Sequence, residues 1–350
     1  MASDGRRDPN RPPLAGPARR LLSALAVGAV LAAPALAEGV RGQTSIEVEG
    51  DYQFPYHEGV DANGLVPVVY GLATDPAFGS RQAGSTWGGG DLKGIIDRKL
   101  TFPFLAGGGD LTKDNELALD FSGEISPVSL NANFQATLTP VAFLKLDAGG
   151  GLGTGWDIGF VGMGINDKGT IEPQNFGGLI YRAWVEATFQ FDLAAVLPGE
   201  WNHIVVLASD KAEYQAYTGA DASTPWIWED DDAMDFNGWQ LYGNYFLGYR
   251  MPIVLDTVGF LLQTQGWLGS VREMSTEASG GWGSDFTYLS FGPLFDFKID
   301  DQSTIAILPQ FKTGIQWTAS TQWAPSFEDR AFGGSYLYFY RVAFDYNLKL

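Results

Sequence analysis

Between Tyr336 and Leu350 every second residue is apolar or aromatic: Tyr336, Tyr338, Tyr340, Val342, Phe344, Tyr346, Leu348 and Leu350. The interleaved positions include Arg341, Ala343, Asp345, Asn347 and Lys349. A β-strand sends alternate side chains to opposite faces, so this segment has one face suited to hydrocarbon and one suited to water. No helix accommodates that period. The segment therefore predicts a sheet whose two sides meet different solvents.

The same alternation recurs along the chain and predicts twelve strands, at about 44–54, 98–107, 115–125, 128–139, 141–151, 178–193, 202–217, 235–250, 254–271, 284–298, 303–318 and 333–350. In the third, Leu117, Leu119, Phe121 and Ile125 oppose Glu116, Asp120, Ser122 and Glu124. In the eleventh, Ile305, Ile307, Phe311, Ile315 and Trp317 oppose Thr304, Gln310, Lys312 and Gln316. A slip of one residue would exchange the two faces, so register is strongly specified. A soluble β-sandwich or lipocalin-like barrel also alternates. It would have to bury these Phe, Tyr, Leu and Ile faces in one very large core. The expected fold is all-β, a transmembrane antiparallel up-and-down β-barrel of about twelve strands, with ten to fourteen as the range.

The N-terminal segment is consistent with export. Leu21–Ala33 is a thirteen-residue apolar run broken only by Ser23, preceded by Arg19-Arg20 and followed by Ala35-Leu36-Ala37. This pattern predicts a secretory signal peptide with an extended leader over 1–37, and a single barrel domain over 38–350. The run is too short for a transmembrane helix, which needs about 20 apolar residues. There is no Cys, which excludes a lipoprotein anchor, disulfides and thiolate metal sites. Net charge is −19, and loss of residues 1–37, with five Arg and two Asp, leaves about −22. Such acidity argues against nucleic acid as a partner. With 45 Gly and 14% aromatic residues but only 18% charged ones, the composition suits a membrane barrel.

The alternation ending at Leu350 resembles the closing strand of bacterial outer-membrane β-barrels, porin-like proteins whose last residue is usually aromatic, most often Phe. The stretch from Ile125-Ser126-Pro127 through Leu138-Thr139-Pro140 to Trp156 is faintly similar to uncharacterised spirochaete outer-membrane proteins. The barrel resemblance implies outer-membrane lipid as the surrounding phase. It also implies recognition of the C-terminal strand by the barrel-assembly machinery. With twelve strands and both termini in the periplasm, the long connections 55–97, 152–177, 218–234, 272–283 and 319–332 fall outside. The short turns then face the periplasm.

The inward-facing candidates are Glu47, Glu49, Asp51, Glu116, Asp120, Glu124, Lys145, Arg182, Glu186, Lys312, Arg341 and Asp345. Barrel closure sets Glu47, Glu49 and Asp51 against Arg341 and Lys349. These groups serve either as interior salt bridges or as part of a permeation path. Inward amides such as Asn131, Asn133, Gln135, Gln263 and Gln310 can bind a polar solute or one another. Asp221, Glu229, Asp230, Asp231, Asp232 and Asp235, with Trp226 and Trp228, form an acidic external loop. It reads either as a cation-attracting mouth or divalent site, or as a solvated surface loop. No EF-hand spacing is present, and the identity of any metal is left open. The only histidines are His57 and His203, and Gly-x-Ser-x-Gly is absent. A rim hydrolase using His57 is a minor alternative to a protein that is not an enzyme; no cofactor is implied.

Twelve strands lie between barrels filled by side chains and wide porins, so a narrow lumen is expected. The expected function is an outer-membrane channel for passive diffusion of small polar solutes, weakly cation-preferring. The alternative is a non-conducting barrel whose acidic external loops bind the envelope or a partner. Segment 55–97, with its Gly-rich Trp87–Gly90, is the expected inward constriction.

Overall fold

The computed structural model describes residues 40–53, 60–61, 64–65, 89–109, 111–158, 162–167, 170–229, 235–274, 284–317 and 332–350. Among these, twelve strands close into one antiparallel barrel in sequence order, and β1 seals against β12. They are β1 Arg41–Gln53, β2 Gly89–Pro103, β3 Glu116–Ile125, β4 Ser129–Val141, β5 Leu144–Gly155 and β6 Ile180–Asp192. They continue as β7 His203–Tyr217, β8 Gly238–Arg250, β9 Leu255–Trp267, β10 Tyr288–Lys298, β11 Ser303–Trp317 and β12 Phe332–Lys349. Closure leaves no sheet edge unpaired, which a strand needs in a solvent that cannot hydrogen-bond it. No described helix is long and apolar enough to cross a membrane.

Eleven of the twelve strands overlap their predicted spans closely. β2 differs: it starts at Gly89, not near 98, and ends at Pro103. Its glycines read as loop in the sequence, yet Gly89 and Gly90 pair with Gln53 and Tyr52, and Gly94 with Val48. Gly89 and Gly90 therefore belong to the wall and not to a constriction. Most of 54–88, including Trp87, Gly88 and His57, lies outside the described residues, as do the leader 1–37 and the loop 318–331.

The outer face is apolar from strand to strand. Phe260, Phe291, Phe311 and Phe339 come from four successive strands, and their ring centroids are 5.9, 6.0 and 5.2 Å apart. Phe260 and Leu247 remain 51% and 60% exposed in the isolated chain. A contiguous exposed belt of this kind marks a surface that contacts hydrocarbon. At the long-loop end, Tyr181, Tyr214 and Trp239 form an aromatic run, with centroids 6.2 and 5.5 Å apart. Their amphipathic rings suit a headgroup level.

Two irregularities re-aim side chains. In β4, Leu138 pairs with Leu146 but Val141 with Leu144, so the strand carries an extra residue beside Pro140. A bulge is where a strand tolerates a residue without an N–H. The strand predicted over 128–139 accordingly runs on through Pro140 to Val141, and the chain reverses at Ala142-Phe143. In β12, Gln310 pairs with Arg341 but Phe311 with Phe339, leaving Tyr340 as the extra residue. This corrects the sequence reading. Val342 and Phe344 share the outer face with Phe339 and Leu337, but Tyr340 turns inward and is 9% exposed. Tyr338, paired with Lys312, turns inward with it. The side chains of Tyr336 and Trp317 lie outside the described residues.

Candidate functional site: a two-walled lumen

Among the described residues, two adjoining spaces open inside the barrel. The larger, about 390 Å³, is lined by Asp97, Asp120, Glu124, Glu186 and Glu213 with Arg182, Lys211 and Trp184. Its other lining is Ser122, Asn133 and Gln135. The smaller, about 280 Å³, is lined among the described residues by Lys211, Lys312 and Arg341 with Tyr242, Tyr288 and Tyr340. Lys211 belongs to both, so the two spaces adjoin. Register explains the adjacency: Lys211 on β7 sits beside Glu186 on β6 and Tyr242 on β8. One wall of the lumen is thus acidic, and the other basic and aromatic.

On the basic wall each cation rests on an aromatic face. Lys211 Nζ is 4.6 Å from the Tyr242 centroid, and Lys312 Nζ is 4.4 Å from that of Tyr340 and 5.5 Å from that of Tyr288. The Arg341 guanidinium carbon is 5.0 Å from the Tyr340 centroid. Such contacts stabilise a partly hydrated cation by about 0.5–2 kcal/mol and fix its position. The bulge at Tyr340 makes this arrangement possible, because it puts two neighbouring residues, Tyr340 and Arg341, on the same side.

A hydrogen-bonded belt runs round this half of the wall. Arg341 donates to Asp51 at 2.6 Å and to Gln310 at 2.8 Å. Gln310, fully buried, donates to Gln263 at 2.7 Å, and Gln263 to Asn244 at 2.9 Å. The reach from β11 to β9 passes β10 at Gly292, where an added Cβ would collide with the backbone at Pro309. These amides therefore satisfy one another, one of the two readings the sequence left open. On the acidic wall Trp184 donates to Gln135 at 3.0 Å, and Gln135 to Asp147 at 3.0 Å. Thr137 also donates to Asp147. Gly149 leaves room for the Trp184 ring.

Among the described residues, one long loop reaches into the barrel. Trp226-Ile227 forms a small sheet with Gly164–Asp167 and Thr170–Pro173. Beneath it, Trp226, Trp228, Met163, Ile180 and Tyr217 make a compact apolar core at the long-loop end. That core turns Glu229, with φ 57°, into the barrel. Glu229 accepts from Ser129 at 2.6 Å, Asn131 at 3.0 Å and Lys93 at 3.1 Å. Trp228 lies over the inner wall at Gly153, and Arg182 is 5.3 Å from its centroid. Burial opposes ionisation of Glu229, but Lys93 and the Ser129 and Asn131 donors outweigh it and hold its carboxyl below the ordinary range. Glu229 is therefore a latch to the wall and not part of an exposed acidic loop. Asp235 is likewise buried, accepts from Gln215 and pairs through its backbone with Trp226. Asp221 is exposed, and Asp230, Asp231 and Asp232 lie outside the described residues.

The structure scatters the remaining candidates. Asp120, Glu124, Arg182 and Glu186 line the acidic cavity, and Lys312 and Arg341 the basic one. Glu116 pairs with Arg41 at 2.8 Å near the short-turn end, and Lys145 lies opposite Thr188 in register. At the seam only part of the expected charge pairing forms among the described contacts. Arg341 takes Asp51, and Asn347 donates to Glu47 at 3.3 Å. Glu49 faces Asp345 and Lys349 faces Ser45, because the register is set by the apolar outer faces. Carboxylate oxygens of Glu47, Glu49 and Asp345 come within 4.8 Å of one another, a group that could hold a metal ion. The site list from sequence lacked Lys93 and Asp97, which lay in the assumed loop. It also lacked Trp184 and Tyr340; alternation within β6 marks Trp184 as inward. His203 bonds Asp192 at 2.8 Å near the short-turn end.

A closed barrel with an apolar belt outside and a charged, cavity-bearing interior defines a membrane-spanning β-barrel of the outer-membrane type. No family model and no curated protein sequence matches the chain. Among solved structures it is similar to an outer-membrane channel from Pseudomonas putida F1 (10% identity, TM-score 0.39, 90% of this chain and 97% of that one). It is also similar to the outer-membrane channel DcaP of Acinetobacter baumannii (8%, 0.35, 89% and 97%) and to KdgM porin (8%, 0.33, 87% and 97%).

Proposed function

We propose that the protein is a bacterial outer-membrane channel for passive diffusion of small polar solutes, weakly cation-preferring. The observation that carries this is the pair of adjoining polar cavities inside a closed barrel. The long-loop end is assigned to the outside, residues 1–37 to a cleaved leader and the C-terminal strand to recognition by the assembly machinery. The excess of carboxylates on one wall and the net charge of −19 favour cations at the entrance.

A second reading has one observation in its favour: the Trp226–Trp228 core covers part of the long-loop end. In that reading the barrel does not conduct and its loops bind a partner. Osmotic swelling of proteoliposomes in neutral sugars of graded size separates the two. A channel gives swelling that slows as the sugar grows. A barrel that excludes even the smallest sugar is not a diffusion channel.

A further inference from the structure

We infer that Arg98 holds the phosphate of a phospholipid in the leaflet at the short-turn end of the barrel. The inference rests on the membrane-spanning fold and does not depend on whether the lumen conducts. Strand parity sends Lys93, Asp97 and Lys99 of β2 inward, where Asp97 lines the acidic cavity and Lys93 reaches Glu229. Arg98, between Asp97 and Lys99, points the other way. It pairs in register with Phe121, whose ring is 5.1 Å from that of Phe134 on the outer face. Ile96 on β2 and Ile46 on β1 share that face and are each 37% exposed. Among the described strand residues, Arg98 is the one Lys or Arg that parity places outside.

An arginine on a lipid-facing wall is costly at mid-bilayer and much less so near the interface, so depth and partners decide whether it is tolerated. The Arg98 guanidinium donates to Thr44 Oγ1 at 2.8 Å, across to β1. Thr44 is the fourth residue of β1, and its backbone oxygen accepts from Leu350, just past the end of β12. The hydroxyl thus holds the charge near the level at which β12 ends.

A guanidinium carries five N–H donors. Among the described residues, Thr44 is the one side chain that accepts from it, and no carboxylate forms an ion pair with it. Donors facing hydrocarbon need an acceptor. The anionic acceptor common to all phospholipids is their phosphodiester, which arginine binds through two parallel N–H bonds. The Thr44 hydroxyl accepts from Arg98 and keeps its own proton to donate to the same phosphate. Ile46 and Ile96 lie on the long-loop side of the charge, toward the bilayer centre, with Phe121 and Phe134 beside them. A charge at the rim with apolar surface running inward from it matches a lipid's headgroup and chains. A free phosphate ion would use only the first of these.

The test is native mass spectrometry of the purified protein, folded in detergent and titrated with phosphatidylglycerol. The expected result is one lipid retained, with an apparent affinity that Arg98→Gln lowers about tenfold. Arg98→Lys keeps the charge without the two-pronged contact and should recover part of the loss. Lys113→Gln, which removes an exposed charge from a short turn, should leave binding unchanged. Thr44→Val removes the bridging hydroxyl, should weaken binding, and serves if Arg98→Gln does not fold to a heat-modifiable barrel. Glycerophosphoglycerol, the same headgroup without acyl chains, should not displace the lipid. Lipid binding unchanged by the Arg98 and Thr44 substitutions overturns the inference. So does an equal loss with Lys113→Gln, which would show unspecific charge attraction. Displacement by glycerophosphoglycerol would overturn the lipid as the source and leave a site for soluble phosphate.

Discussion

At the scale of single residues, Glu229 shows how much context decides a role. In the sequence it is one acid among several in a loop with no Lys or Arg nearby. In the structure a left-handed backbone and two buried tryptophans deliver it to Lys93, Ser129 and Asn131. No local pattern announces that contact, since Lys93 is distant in the chain and sits in a Gly-rich segment. Glu229→Gln removes a charged acceptor and should lower the local opening free energy by about 2 kcal/mol. Amide exchange at Trp226 and Trp228 should then accelerate roughly thirtyfold; unchanged exchange would show that the latch contributes nothing. The folded carboxyl titrates below the ordinary value of 4.5. Its stabilisation is therefore complete above that value and is lost as pH falls through the lower, folded one. Protection of the loop in the native protein should hold from neutrality to moderately acidic pH and fail only below it.

Gly149 makes a second residue-scale case. A Cβ there would meet the Trp184 ring and lie 2.7 Å from the Phe134 carbonyl oxygen, whereas one on Gly123 meets nothing within 4 Å. Gly149→Ala should destabilise the barrel by about 1–3 kcal/mol. Gly123→Ala should stay within about 0.5 kcal/mol. Equilibrium urea unfolding in lipid vesicles compares them, and equal effects would contradict the placement of Trp184.

At the scale of elements, strand existence was legible and strand detail was not. Period-two alternation in β3, β4, β6, β10 and β11 is set by the two solvents and survives into the structure. The start of β2 was hidden because glycine carries no side chain to mark a face. β12 misled in another way. Tyrosine suits both a headgroup girdle and a wet lumen, so Tyr338 and Tyr340 kept the expected parity in sequence while the bulge moved them to the other side. If Tyr340 is the extra residue, deleting it leaves pairing on both sides in register. The variant should still fold to a heat-modifiable barrel while losing the contact with Lys312. Failure to fold would place the irregularity elsewhere. The outer belt gives a complementary prediction. Phe311→Arg, facing outward, should cost about 2–4 kcal/mol in a bilayer. Ser290→Arg, on the inner wall beside Lys312, should cost less in the same unfolding measurement.

At the scale of the whole molecule, barrel closure brings together what the chain separates. Asp51 and Arg341 meet across the seam, and β7 to β12 assemble the basic wall from residues on six different strands. A linear reading can list inward charges, and it did so for Asp120, Glu124, Arg182, Glu186 and Arg341. It cannot say which of them share a cavity, because that depends on shear, on bulges and on which loops turn inward. The separation of the two signs onto opposite walls is a property of the closed barrel alone.

The most direct test of a water-continuous lumen is single-channel conductance of the purified protein in a planar bilayer under a salt gradient. An open, acid-rich lumen predicts discrete steps and a reversal potential displaced toward the cation. Steps with an anion-selective reversal potential would contradict the proposed electrostatics. A folded, heat-modifiable barrel that gives no steps would contradict the channel.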